Sequence, residues 1–150
     1  IELALLGASL TLVSREESKL KSALKDMPKA NGQKHDYLVA DFNLPEQLES
    51  GLDKHFSKEV VHILVNNTGG PAPGNVLDAK LDEFNKAFTN HLICNQILVQ
   101  ALVPGMKKAN YGRIINIRST SVKVPLRGLG VSNTIRGAVA NWAKTLSVEV

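Results

Sequence analysis

Four polar residues in the second half of the chain have the types and spacing to do chemistry together. Ser132 and Arg136 are four residues apart, so a helix through them sets a hydroxyl and a guanidinium on one face. Ser119 lies 13 positions before Ser132, two residues beyond the run RIINI at 113–117. Asn90 interrupts a long apolar-periodic stretch, where a polar amide is out of place unless it serves a site. Alkyl hydroxyls donate hydrogen bonds but are weak acids, and a guanidinium keeps its charge at any working pH. The set supplies polarisation and positive charge, with little capacity to release a proton.

These residues need elements to position them, and the hydrophobic pattern provides them. Short β-type runs alternate with longer helical stretches. The sequence predicts strands at 9–14, 34–40, 60–65 and 113–117, the third apolar apart from His62 and ended by NNTGGP. Helices are predicted at 16–27, stopped by Pro28, and from about Pro45, a favoured early-helix residue. A long helix at 81–108 carries Phe84, Phe88, Leu92, Ile93, Ile97 and Leu102 at helical spacing. A last helix at 131–150 carries Val131, Ile135, Val139, Trp142 and Leu146 on one stripe. Strand–helix alternation at this pitch is the signature of parallel βα units and a doubly wound sheet.

In such sheets ligands bind beyond the carboxyl ends of the strands, so informative residues should sit just after each strand. Ser14 and Arg15, Asp41 and Phe42, the 66–70 segment, and Ser119 with Thr120 all do. In dinucleotide-binding folds an acid after the second strand binds a ribose 2′-hydroxyl, whereas an Arg accommodates a 2′-phosphate. Arg15, with the Ser14 hydroxyl beside it, favours NADP over NAD; the plain alternative is a solvated Arg opening a helix. Asp41 either accepts from an adenine amino group or caps a turn before Pro45. In NNTGG, Asn67 fixes neighbouring backbone and Gly69 lets the main chain pass close to a ligand, although an ordinary loop reads the same way.

Composition narrows the classes. The 150 residues are enough for one domain with a real core and not for two. The apolar share of 43% and charged share of 21% are globular values that argue against disorder and fibrous repeats. No apolar run reaches the roughly 18 residues of a membrane span. The net charge of +4 is scattered among acids, without a basic block or interleaved aromatics, so nucleic acid is not an expected partner. The single cysteine, Cys94, excludes an internal disulfide, gives no metal spacing, and favours a reducing, cytoplasmic setting.

The ordered set of segments resembles the short-chain dehydrogenase/reductase family, nearest its 3-oxoacyl-[acyl-carrier-protein] reductase-like members. GASLTLVSR is similar to the family's second strand with its NADP-type Arg, and LVADF to its adenine-site segment. NNTGG resembles the family's Asn-Asn-Ala-Gly motif, with Thr68 in place of Ala. FTNHL resembles the helix bearing the active-site Asn, here Asn90, and GRIINIRS the strand leading to the catalytic Ser, here Ser119. The likeness runs along essentially all 150 residues. It implies a Rossmann-like, doubly wound parallel sheet in a three-layer α/β/α sandwich. It also implies NADP as cofactor, held by Ser14, Arg15, Asp41, Phe42, Asn67, Thr68, Gly69 and Arg136. A small carbonyl or acyl-thioester substrate and a homodimer or homotetramer follow from the same resemblance, with Trp142 and Ile97 as packing candidates at the subunit contact or in the core.

Two departures stand out. The family's glycine-rich turn after the first strand is absent, and Ile1 enters within the first helix. The natural protein is therefore expected to continue before Ile1, and the fold to be incomplete at both ends. The missing turn supplies backbone N–H groups for a pyrophosphate, so the chain alone is expected to bind a dinucleotide poorly. The family's Tyr and Lys, four apart, align with Ser132 and Arg136. The expectation is a carbonyl reductase with a rearranged donor, Ser119 and Ser132 polarising the carbonyl and a relayed water protonating it. The alternative is a cofactor-binding, low-turnover relative acting as an oligomeric or regulatory binding protein.

Overall fold

Four-residue strands alternate with amphipathic helices along the whole chain. The computed structural model describes residues 1–56 and 60–150, which divide into two units, Ile1–His55 and Phe56–Val150.

The first unit contains α1 (Glu2–Leu5), β1 (Thr11–Ser14), α2 (Glu17–Lys25), β2 (Asp36–Val39) and α3 (Pro45–His55). β1 and β2 pair in parallel, Thr11 opposite Asp36 and Ser14 opposite Val39, which obliges the chain to cross over through α2. Pro45 opens α3, as its fixed φ favours. Leu48 and Leu52, one turn apart, are fully buried, each worth about 1.5–3 kcal/mol relative to exposure. Gly51 lets this helix close on β2: a Cβ there would lie 2.8 Å from Leu38 Cδ1.

The second unit contains β3 (Ile63–Asn66), α4 (Leu81–Phe88), a π-helical turn (Thr89–Ile93), α5 (Cys94–Lys108), β4 (Arg113–Asn116), a 3-10 turn (Thr120–Val122) and α6 (Gly130–Glu149). β3 and β4 are again parallel, Ile63 opposite Arg113 and Asn66 opposite Asn116. Glu83 accepts the Lys80 N–H at 2.7 Å and so satisfies an exposed donor at the start of α4. Ala87, Val131 and Ile135 form a buried cluster that Ala79 and Phe84 cover, which seats the first turns of α6 against α4. The loops before these helices are stitched together, with the Gly74 N–H donating to the Gly128 carbonyl and the Gly130 N–H to the Gly74 carbonyl.

Two expectations need correction. The helix over 81–108 is unbroken but not a regular α-helix: the Cys94 N–H donates to the Thr89 carbonyl, five residues back, instead of four. The predicted stripe holds at Leu102 but not at Phe88 and Ile93. Phe88 and Ile93 are 40% and 38% exposed, and the buried positions are Ala87, His91, Cys94, Asn95, Leu98, Val99, Leu102 and Met106. The strand expected at 60–65 is shorter and shifted, Ile63–Asn66. Along β3, Leu64 and Asn66 are buried while Ile63 and Val65 are half exposed. Successive side chains of a strand point to opposite faces, and only one face of this pair is covered by the unit's own helices.

Candidate active site

The site is built where β3 and β4 end. Their last residues, Asn66 and Asn116, are register partners, and Asn66 Nδ2 donates to Asn116 Oδ1 at 2.9 Å. The Ile117 N–H continues the ladder to the Asn66 carbonyl at 2.9 Å. The two chains then diverge, one into the 67–70 turn and the other toward Ser119.

Arg136 spans that divergence from the second turn of α6. Nη1 donates to the Ile117 carbonyl at 2.8 Å and Nη2 to the Thr68 carbonyl at 3.5 Å. A rigid planar fork suits this task, because its donors reach two acceptors without rotating against each other. Burial pulls the Arg136 guanidinium below its ordinary value, but from so high a start it stays cationic. Its Nε is buried and has no hydrogen-bond partner among the described residues. A Cβ added at Gly70 would lie 3.8 Å from Nη2, so the turn passes close to the charge.

Asn90 lies inside the π-helical turn, half-buried. Such turns interrupt the regular ladder and often mark functional positions, which gives the mid-helix amide a structural setting. The next residue, His91, is 3% exposed, and its Nδ1 is hydrogen-bonded to Thr68 Oγ1. Burial, followed by the nearby Arg136 charge, pushes the His91 pKa down to about 4, against an opposing contribution from the Gly69 backbone. The ring is therefore neutral near pH 7. Sequence reasoning singled out Asn90 and passed over His91; the available signal was a histidine on the helix face that points inward.

Ser119 Oγ accepts the Ser121 N–H at 3.1 Å and caps the 3-10 turn, which leaves its proton available to donate. Ser132 is buried in the first turn of α6, one turn before Arg136. Thr68, Gly70, His91, Ile117 and Arg136 thus form one cluster, with Asn90 and Ser119 on its flanking segments. Asn67 and Gly69 are exposed on the same turn.

The remaining candidates lie in the first unit, at the carboxyl ends of its strands. Ser14 ends β1 and its Oγ accepts the Glu16 N–H at 3.4 Å, while Arg15 is exposed. Asp41 Oδ1 accepts from the Asn43 N–H at 2.9 Å and from Asn43 Nδ2 at 2.7 Å, the turn-capping arrangement that the sequence left open. Phe42 beside it is half-buried. A groove of about 750 Å³ reaches the site only at Asn116 and is lined by residues of α5, β4, α6 and the 109–112 connection, among them Tyr111, Arg113 and Leu146. None of the candidate residues lines it. No cluster of three metal-ligating side chains occurs among the described residues, and no helix among them is long and apolar enough to cross a membrane.

This order of elements has counterparts among known proteins. The short chain dehydrogenase family profile matches residues 1–150. The chain belongs to the short-chain dehydrogenase/reductase family, and its fold is the family's Rossmann-like α/β fold, as the sequence resemblance implied. L-sorbose reductase from Gluconobacter frateurii, solved with NADPH and L-sorbose, superimposes with a TM-score of 0.87 at 26% identity, covering 95% of this chain and 55% of that one. An uncharacterized oxidoreductase of Mycobacterium tuberculosis is 29% identical over 96% of this chain and 55% of its own length. The human inactive hydroxysteroid dehydrogenase-like protein 1 is 27% identical over 99% of this chain and 46% of its own length. The chain spans about half the length of the curated relatives it matches.

Proposed function

We propose that the chain is a nucleotide-binding domain of an NADP-dependent oxidoreductase that reduces a small ketone or a 3-oxoacyl thioester to an alcohol. The observation that carries this reading is Arg136, a permanent cation held at the divergence of two parallel strands with its buried Nε unspent. The charge of its exposed Nη1 end suits a ribose hydroxyl, as the Lys of the family motif does. NADPH, when bound, would supply the hydride.

The chain's own residues define the rest. Arg15 and Ser14 would hold the 2′-phosphate, Asp41 and Phe42 the adenine, and Asn67, Thr68, Gly69 and Arg136 the nicotinamide half. Ser119 keeps a free proton to donate to a carbonyl oxygen, and Ser132 sits one helical turn from the cation. Neither serine is a phenol: without a group tunable toward neutral pH, proton delivery passes through water ordered by Asn90 and the two hydroxyls. Arg136 stabilises developing negative charge but gives up no proton.

The second reading, a cofactor-binding relative with little turnover, is favoured by the two strand-end carbonyls that occupy Arg136 Nη1 and Nη2. Ser132→Tyr combined with Arg136→Lys separates the two. If the proton donor limits the native enzyme, the pair raises kcat for carbonyl reduction. If no carbonyl is reduced before or after the exchange while NADPH binds, the reductase reading falls.

A further inference from the structure

The 67–70 turn is held from two sides. Arg136 Nη2 takes the Thr68 carbonyl, and His91 Nδ1 takes the Thr68 hydroxyl. His91 also meets the Gly69 backbone. The imidazole belongs to the π-helical turn that carries Asn90, and it is buried between that turn and the strand end. Neither hydride transfer nor proton delivery calls on it. A leucine at this position would bury equally well and leave the Thr68 hydroxyl without its partner. Thr68 in turn stands where the family motif has Ala, so its hydroxyl is a departure from that motif.

We propose that His91 is a positioning residue: paired with the Thr68 hydroxyl, it locks the 67–70 turn to the turn bearing Asn90 and so sets where the nicotinamide half of the cofactor lies against the site. This role rests on the reading of residues 67–70 as part of an NADP site. The physical basis is the geometry of the lock. Thr68 is bonded through its side chain to one helix and through its main chain to another, so neither element moves without breaking a partly buried hydrogen bond. A buried polar group left without its partner costs more than the pair gains, so each half depends on the other. A double-mutant cycle measures that dependence directly.

The test uses the full natural protein with Thr68→Val, Thr68→Ser, His91→Leu and the Thr68→Val/His91→Leu double variant. Urea unfolding without cofactor reads the lock, and NADPH fluorescence titration reads its consequence. Thr68→Val and His91→Leu are each expected to weaken NADPH binding roughly three- to tenfold, the effect of losing one buried hydrogen bond. The double variant is expected to be no weaker than either single one in both measurements, and Thr68→Ser, which keeps the hydroxyl, to bind within about twofold of the native protein. Additive losses in the urea cycle overturn the lock. A coupled urea cycle with an unchanged NADPH affinity for Thr68→Val overturns the positioning role. A native protein that binds no NADPH overturns the cofactor reading instead, and the urea cycle then decides the lock by itself.

Discussion

Arg136 donates to the Ile117 carbonyl at 2.8 Å across 19 residues of sequence, and the same guanidinium reaches the Thr68 carbonyl. One side chain on α6 therefore ties the ends of both strands of its sheet. Removing it gives the two carbonyls over to water, so Arg136→Ala should cost about 0.5–1.5 kcal/mol of unfolding free energy. Arg136→Lys, which keeps the charge but offers a single ammonium in place of the fork, should fall between the two. Urea denaturation of the three proteins checks the order.

Acid should destabilise the protein through His91. The folded-state pKa, about 4, lies below the unfolded value near 6.5. Between those limits the unfolded chain binds more protons, so stability falls as pH drops from about 6.5 to 4 and this contribution levels off below. Thermal melts from pH 7 to 4 should show the decline. His91→Leu, less stable at pH 7, should show a shallower one; parallel curves would mean that another group carries the effect.

Gly130 opens α6 against Val76. A Cβ there would lie 2.5 Å from the Val76 main chain, and backbone cannot swing aside as a side-chain tip does. Gly130→Ala should therefore destabilise by about 1–3 kcal/mol, the usual range for overpacking. It should also disturb the loop pairing of Gly74 with Gly128 and Gly130, which amide hydrogen exchange at Gly74 and Gly130 would show.

Cofactor choice should rest on Arg15. Its exposed guanidinium follows β1, where a 2′-phosphate would need a cation. Arg15→Ala should weaken NADPH binding by an order of magnitude or more and leave NADH binding nearly unchanged, measured by fluorescence titration. Equal losses for the two would overturn the assignment.

Much of this was legible in the sequence, for identifiable reasons. Strands and helices follow from short-range periodicity, and Pro45 and the NNTGG segment mark boundaries through local backbone chemistry. The i,i+4 relation of Ser132 and Arg136 survives in α6 because that helix is regular. The 81–108 stretch marks the limit of periodicity: the π-helical turn at 89–93 leaves no trace in composition, and Phe88 and Ile93, at helical spacing in the sequence, are exposed. The Thr68–His91 pair joins positions 23 apart, and no local rule links them. The two carbonyls that Arg136 holds are main-chain groups, invisible to any reading of side-chain types. Family membership was legible because it rests on the order of several segments instead of any single contact.

Carbonyl reduction itself is tested most directly by following NADPH oxidation by the full natural protein against a panel of small ketones and 3-oxoacyl thioesters, with Ser119→Ala and Ser132→Ala beside it. The expected result is substrate-dependent NADPH consumption by the native protein, slowed about tenfold or more in Ser119→Ala as befits loss of a proton-handling or polarising group. Tight NADPH binding with no consumption across the panel would contradict it.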